Sequence, residues 1–171
     1  EMQPEIAKLY QQHFRPARDP KGDVRALFPA RSSDETVLGV RRLAKEVGEV
    51  DLLVAGPPCQ GHSTLNNHTR GEDPKNALYD AAVRAVAALR PYAVIIENVP
   101  ALERDTRGTL AQALRALRRH GYKTDTGIVA LDQIGVPQLR RRHVLLACRE
   151  TQPSVADAID VGQTAAPRSV R

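Results

Sequence analysis

The sequence has no tryptophan, one methionine and two cysteines among its 171 residues, and aromatic residues make up 4% of it. Two cysteines, Cys59 and Cys148, cannot form a disulfide framework, so the class of small disulfide-stapled secreted proteins is excluded. A reducing compartment, the cytoplasm or the nucleus, is expected instead. No apolar run approaches the roughly 20 residues of a membrane-spanning helix, and no signal peptide opens the chain. We therefore expect no membrane partner.

Acidic residues are fewer than basic ones, with 20 Asp and Glu against 25 Lys and Arg, which gives a net charge of +5. The hydrophobic share of 42% and the charged share of 26% are typical of a globular domain. The length suffices for one domain with a core and is too short for two of full size. The positive excess favours a polyanionic partner, and a solvated basic surface without a partner would have the same composition.

Short apolar runs alternate with amphipathic stretches of helical period, which predicts an α/β fold with a mostly parallel sheet and helices on both faces. The run at residues 51–56 is expected to be a strand buried on both faces. No strand precedes the first helical pattern, so the sheet is expected to be incomplete at its N-terminal strand. The pattern predicts strands over 23–27, 51–56, 92–99, 122–131 and 142–149, and helices over 3–14, 34–47, 76–89 and 107–119.

Three loops at the predicted strand ends carry unusual residues, and in open α/β sheets ligands bind beyond the carboxyl ends of the strands. They are PPCQGHS at 57–63, ENV at 97–99 and GVPQLRRR at 135–142. A stiffly held cysteine such as Cys59 can act as a thiolate nucleophile. A carboxyl that ends an apolar strand, such as Glu97, loses hydration and becomes a better proton donor near neutral pH. Taken singly, these residues also fit a packed cysteine and a turn carboxylate.

Two other chemistries use the same loop and are weaker. Cys59, His62 and His68 have a loosely zinc-like spacing, but no fourth ligand is evident. A thiol hydrolase pair of Cys59 with His62 lacks a group that would orient the imidazole. The long polar stretch at 61–76 is interpreted as a functional loop. The remaining candidates are interpreted as structural, with surface or helix-end positions for His13, His120 and His143 and a core position for Cys148.

Together, PPCQGHS, ENV and QLRRR in this order resemble the cytosine-C5 DNA methyltransferase family, and the resemblance covers nearly the whole chain up to about residue 150. It implies a Rossmann-like methyltransferase fold, S-adenosylmethionine as methyl donor and double-stranded DNA as substrate. Residues 1–150 would then form part of the catalytic domain. Residues 151–171 would be a linker or the start of a region that recognises the target sequence.

The resemblance also implies roles for individual residues. Cys59 occupies the position of the nucleophile that adds to C6 of a flipped-out cytosine, and Glu97 that of the carboxyl at the pyrimidine edge. Arg140 and Arg142 match the two arginines of the Gln-x-Arg-x-Arg motif, one of which reaches the base carbonyl oxygen. The loop at 61–76 would close over the extruded base. The cofactor would be held at Glu1, Met2, Asp23, Val24, Pro58 and Leu78, with Glu1 on the ribose hydroxyls and Met2 beside the adenine.

Two departures from the family pattern shape what we expect of the chain alone. The sequence contains neither the glycine-rich turn that follows the first strand of the family nor a target-recognition region. We therefore expect this chain by itself to bind cofactor poorly and to have little turnover, unless a second chain or a further segment completes the site. Two alternatives stay open: a tRNA-directed enzyme that shares the motifs, and a non-catalytic relative that holds nucleic acid with its arginine-rich face.

Overall fold

Four apolar runs form a single sheet in this computed structural model, which describes residues 3–16, 22–30, 34–58, 77–106 and 108–163. The strands are β1 (Leu52–Ala55), β2 (Ala93–Asn98), β3 (Lys123–Ala130) and β4 (Arg141–Cys148), in the order β1-β2-β4-β3. The helices are α1 (Pro4–Phe14), α2 (Val24–Leu27), α3 (Asp34–Val47), α4 (Ala77–Leu89), α5 (Thr109–Arg119) and α6 (Val155–Gly162). Within the described ranges, none of these helices is long and apolar enough to cross a bilayer.

β4 is the one described strand that runs against the others. β1 and β2 pair in parallel, whereas β4 pairs antiparallel with both β2 and β3. The chain returns from β3 through residues 131–140, and a connection this short favours an antiparallel return, because parallel strands need a crossover of a dozen residues or more. The predicted α/β architecture is confirmed, with a mixed sheet in the described part.

The hydrophobic core lies where α4 and α5 cover one face of the sheet. Alternate residues of β2 point to this face, so Val94 is 1% exposed and Ile96 is completely buried. Leu145 of β4 and Leu117 of α5 are also completely buried. β2 and β4 therefore form a packed platform whose ends can hold side chains in fixed positions.

The expectation that residues 51–56 are buried on both faces is wrong. Leu52 is 50% exposed and Val54 is 65% exposed, while Leu53 and Ala55 pack against the core. Among the described strands, β1 pairs with β2 alone and is the outermost strand on its side. A continuous apolar run shows that a strand is hydrophobic on both faces, but it does not show what covers each face.

The predicted strand at 23–27 is also wrong, because these residues form α2. The Asp23 carboxylate accepts a hydrogen bond from the backbone N–H of Arg25 at 2.8 Å. This is an N-terminal cap, and it satisfies one of the amides that a first helical turn leaves without a partner. A run of four residues has too little periodicity to distinguish this helical turn from a strand.

Residues beyond Thr151 include a helix that packs on the sheet. The Ser154 hydroxyl accepts a hydrogen bond from the N–H of Asp157 and begins α6. Val155 is 4% exposed, and its Cγ1 lies 3.0 Å from the position that a Cβ on Gly127 would occupy. Residues 151–171 thus include an ordered helix on the sheet, and the domain boundary near residue 150, with a linker or the start of a target-recognition region beyond it, stays a prediction.

Candidate active site

The carboxyl ends of β1 and β2 and the amino end of β4 meet at one edge of the sheet, because β4 is reversed. In the register, Glu97 lies opposite Val144 and Asn98 lies opposite His143. We call this the active-site edge; in the described chain it comprises residues 56–58, 97–98 and 141–142. Two of the three loops that the sequence singled out, PPCQGHS and ENV, therefore start here, and the third, GVPQLRRR, ends here.

Glu97 and Arg142 are in direct contact across β2 and β4. The Arg142 Nε lies 2.5 Å from the Glu97 Oε1, which is a charge-assisted contact of a guanidinium with a carboxylate. The side chain of Arg142 is 18% exposed and that of Glu97 is 43% exposed. The strong desolvation expected for Glu97 is therefore not found, because the ion pair lies on the sheet face opposite the α4 and α5 core.

The Glu97 carboxylate also borders the segment that leads to Cys59. A Cβ built on Gly56 would lie 3.6 Å from the Glu97 Oε2, so this oxygen faces the end of β1. Cys59 itself lies outside the described residues, and its position stays a prediction. The described atoms nevertheless place the Glu97 carboxyl beside the start of the PPCQGHS loop at 57–63, which we call the cysteine loop.

Asn98 links the two loops, although the sequence analysis did not single it out. Its Nδ2 donates to the Pro57 carbonyl at 3.3 Å, and its Oδ1 accepts from the Val99 N–H at 2.7 Å. The residue is 3% exposed, and a buried amide must find such partners. A polar residue at the end of an apolar strand was the signal that could have identified it as a positioning residue.

We expect Asn98→Asp to leave the fold intact and to lower the turnover of the complete protein about tenfold to a hundredfold. The aspartate keeps an acceptor for Val99 but turns an oxygen towards the Pro57 carbonyl, so the link to the cysteine loop is lost. Steady-state rates and thermal melts of Asn98→Asp and of the exposed control Arg104→Gln test this. Equal kcat values for Asn98→Asp and the parent protein would contradict the assignment.

Three of the predicted cofactor residues line one apolar cavity of about 360 Å³ between α2, β1 and α4. They are Val24, Pro58 and Leu78, and they share the lining with Phe28 and Ala55. Mostly apolar walls of this kind are typical of small-molecule sites. The roles of the three residues stay predictions, and Glu1 and Met2 lie outside the described residues.

Asp23 is engaged with its neighbour rather than with the cavity. Arg25 donates to both carboxylate oxygens and, mainly through these hydrogen bonds, lowers the pKa of the Asp23 carboxyl. The side chain of Asp23 therefore caps and pairs within α2. A contact of Asp23 with the cofactor stays a prediction.

Arg140 is not brought to Glu97 as Arg142 is. Its side chain is exposed and forms no ion pair within the described ranges, while its carbonyl accepts a hydrogen bond from the Leu131 N–H at 2.9 Å. The backbone of Arg140 thus helps to close the connection between β3 and β4. The proposed contact of its side chain with the substrate stays a prediction.

The zinc and thiol hydrolase alternatives rest on Cys59, His62 and His68, which lie outside the described residues. In the part of the chain that the structure covers, no three His, Cys, Asp or Glu side chains are placed to hold a metal ion.

The structural interpretations of the other candidates have mixed outcomes. Cys148 is 6% exposed and belongs to the core, as predicted, and His13 and His120 are exposed. His143 is completely buried, so its predicted surface position is wrong. The alternation along β4 places it on the core face together with Leu145.

Comparisons with known proteins agree with the motifs and the fold. Type II methyltransferase M1.BsuMI of Bacillus subtilis is 39% identical over 109 residues, which are 64% of this chain and 26% of that protein. Type II methyltransferase M1.HphI of Haemophilus parahaemolyticus is 34% identical over 134 residues, which are 74% of this chain and 36% of that protein. The chain thus spans between a quarter and two fifths of the length of these two relatives.

Solved structures show the same fold. The Dnmt2 methyltransferase of S. pombe superposes with a TM-score of 0.68 at 18% identity, over 96% of this chain and 46% of that one. The Entamoeba histolytica methyltransferase EhMeth superposes with a TM-score of 0.60 at 17% identity, over 88% of this chain and 44% of that one. The family described as C-5 cytosine-specific DNA methylase matches residues 1–168. The chain therefore belongs to the C-5 cytosine-specific DNA methylase family.

Proposed function

We propose that the protein transfers a methyl group from S-adenosylmethionine to C5 of cytosine in double-stranded DNA. The observation that carries the proposal is the Glu97–Arg142 pair, which lies beside the segment leading to Cys59. The family and the bacterial type II relatives support the reaction class. Because the chain spans only part of those relatives, the activity is proposed for the complete protein.

A thiolate nucleophile is needed because C5 of cytosine by itself reacts poorly with a methyl sulfonium. The Cys59 thiolate would form a bond to C6, and the electron pair of the C5–C6 double bond would then become available at C5. This addition is uphill unless the ring nitrogen N3 is protonated or strongly hydrogen-bonded. Glu97 would make that contact through Oε2, the oxygen that faces the end of β1.

Arg142 would have two tasks in this arrangement. It binds Oε1 of Glu97 and so fixes the orientation of the carboxyl group. Its planar guanidinium carries further N–H donors in fixed directions, which would stabilise the cytosine carbonyl oxygen as negative charge develops there. One residue would thus both position the acid and serve as an electrostatic partner for the base.

The cofactor, when bound, supplies the methyl group as an electrophile. Val24, Pro58 and Leu78 would pack against the faces of its adenine ring in the cavity that they line. Pro58 borders this cavity and is followed directly by Cys59 in the sequence, so the same turn would shape both the cofactor cavity and the start of the nucleophile loop. Transfer would leave the cofactor as a neutral thioether. A base would then remove the C5 proton, the C–H electron pair would re-form the C5–C6 double bond as the thiolate leaves C6, and the proton on N3 would return to Glu97.

The target nucleotide must leave the duplex, because C6 of a stacked cytosine cannot be reached by a side chain. The loop at 61–76, which lies outside the described residues, is proposed to close over the extruded base. The contacts of the duplex itself would include phosphates, so affinity should fall as salt rises.

A covalent trap tests the proposal. We expect the complete protein, mixed with S-adenosylmethionine and plasmid DNA containing 5-fluorocytosine, to form an adduct that survives denaturation, because fluorine at C5 cannot leave as the proton does. Cys59→Ala should form no adduct, while Cys148→Ala, which removes the buried thiol, should form it normally. Absence of the adduct with the parent protein would overturn the proposed reaction.

The same assay separates the alternatives. The likeness to a Dnmt2 structure keeps the tRNA-directed alternative from the sequence analysis in view, so tRNA containing 5-fluorocytosine is the second substrate. Adduct formation with tRNA and not with duplex DNA would favour that alternative. Binding of DNA without any adduct would favour the non-catalytic relative.

A further inference from the structure

The sheet edge opposite the active-site edge carries a group of exposed cations. β3 begins and β4 ends there, and α5 ends beside them. We call this group the rear basic surface. Its members are exposed side chains of α5, of the strand ends and of the turn after α4, namely Arg90, Arg118, Arg119, Lys123 and Arg149.

Several contacts show that these side chains lie together. The Arg90 Nη1 donates to the His120 carbonyl at 2.7 Å, and the Arg90 guanidinium lies 6.0 Å from the centroid of the Tyr122 ring. Burial raises the pKa of Tyr122, and the nearby charges of Arg90 and Arg149 act in the opposite direction. Lys123 lies opposite Cys148 in the register, and Cys148 is followed directly by Arg149.

No carboxylate of the described residues neutralises the charges of the rear basic surface. In the described ranges, none of its five members forms an ion pair with a carboxylate. The contacts they make are with neutral acceptors, since Arg118 donates to the Thr124 hydroxyl and Lys123 donates to the Glu150 carbonyl. Residues 109–124 contain four cations and no acidic residue. Glu150 adjoins these five cations, and Glu49 and Asp51 precede β1 at the same end of the sheet. Five cations against three acids leave a local excess of positive charge.

We propose that the rear basic surface binds the phosphate backbone of a nucleic-acid duplex, at a stretch that does not pass through the active-site edge. Four of its five members are arginines, whose planar donors match phosphate oxygens. Phosphate contacts hold a duplex without reading its sequence. The inference therefore goes beyond methyl transfer: one edge of the sheet carries out the reaction, and the opposite edge retains DNA non-specifically.

The separation of the two edges supports a distinct stretch of duplex. β4 spans eight residues between them, and at about 3.3 Å for each step its ends lie roughly 23 Å apart. The Debye length is about 8 Å at physiological ionic strength. Charges at the rear basic surface are thus screened from a duplex at the active-site edge and act only on phosphates that they touch.

The test measures binding of the complete protein to a fluorescent duplex made only of A·T pairs, by anisotropy at several salt concentrations. The variant combines Arg119→Glu with Arg149→Glu, two side chains that donate no hydrogen bond to the described part of the protein. We expect at least a tenfold loss of affinity at about 0.1 M salt. The slope of log K against log salt should fall by about 1.8, which corresponds to two phosphate contacts at about 0.9 each.

A matched control combines Arg41→Glu with Arg42→Glu, two exposed arginines of α3. It changes the net charge equally, and we expect less than a threefold loss and an unchanged slope. Equal losses in both variants, or no loss in the rear variant, would overturn the proposal. Displacement of the duplex by poly-glutamate at equal charge would assign the surface to acidic polypeptides instead.

Two further features keep the result interpretable. The probe contains no cytosine, so the outcome does not depend on whether the protein methylates that base. Thermal melts establish that the variants fold. If the Glu variant does not fold, Arg119→Gln with Arg149→Gln removes the same contacts, and the slope should again fall by about 1.8; an unchanged slope would overturn the proposal.

Discussion

Replacing Arg142 with alanine is expected to lower kcat for methyl transfer about a thousandfold. The change removes the donor that we propose for the base carbonyl oxygen, and loss of such a donor typically costs about 10² to 10³ in kcat. It also releases the carboxyl of Glu97 from its contact with the Arg142 Nε. Single-turnover rates with saturating DNA measure the effect on the chemical step. Arg115→Ala is the control, because Arg115 is an exposed arginine of α5 and does not belong to the active-site edge.

The pair should also behave as a unit. We expect Glu97→Gln to lose activity to a similar extent, and the double variant of Glu97→Gln with Arg142→Ala to lose little more than the more damaging single variant. Residues in direct contact are not additive in such cycles. Losses that add in full on a logarithmic scale would show that the two side chains act independently, contrary to the contact between Oε1 and Nε.

His143→Leu is expected to stabilise the protein in mild acid and to remove part of its pH dependence. His143 is completely buried, and neither of its ring nitrogens has a hydrogen-bond partner within the described residues. Burial lowers the pKa of the imidazole, although the charge of Glu103 on the neighbouring turn acts in the opposite direction. Leucine fills a similar volume without a polar group that must lose its hydration.

The sign of the pH effect follows from linkage. In the unfolded chain the imidazole takes up a proton as the pH falls through its usual pKa of about 6.5, whereas the folded protein takes it up only at lower pH. Unfolding is therefore favoured progressively below about pH 6.5, and this loss levels off once the pH passes below the folded pKa. The free energy of unfolding that the parent protein loses below about pH 6.5 through His143 should not be lost in the leucine variant.

Urea unfolding at pH 5.5 and pH 7.5 measures the effect. We expect His143→Leu to raise the free energy of unfolding by about 1 to 3 kcal/mol at pH 5.5, and by less at pH 7.5. The exposed residue His120 provides the control, since His120→Gln should change neither value by more than about 0.5 kcal/mol. An equal pH dependence in the parent and in His143→Leu would contradict the assignment to His143.

The hydrophobic pattern predicted helices and strands well where they have a long face buried in the core. The predicted helix at 76–89 and the strand at 92–99 match α4 and β2 within one residue, because each has a long apolar face with a clear period. α2 and α6 were missed, because each begins at a side chain that caps it, Asp23 and Ser154, and a cap changes the backbone without changing the hydrophobic pattern.

The sequence indicated which residues belong to the candidate site, but not which of them are in contact. Glu97 and Arg142 are 45 positions apart, and they meet because β4 enters the sheet antiparallel between β2 and β3. Hydrophobic period does not specify strand order, so the pairing could not be deduced from it. The burial of His143 was accessible in principle, since it alternates in phase with Leu145 along a strand that the sequence did predict.

The hydrogen bond from Asn98 to the Pro57 carbonyl has a consequence for thermal fluctuation near the nucleophile. Residues 56–58 leave β1, the outermost of the described strands, whose outer face is solvated and whose amides should exchange with solvent readily. Through Asn98, Pro57 is joined to β2, which has strands on both sides. Brief fraying of β1 should therefore displace Pro57 little, and the amplitude of its motion should follow the sheet interior.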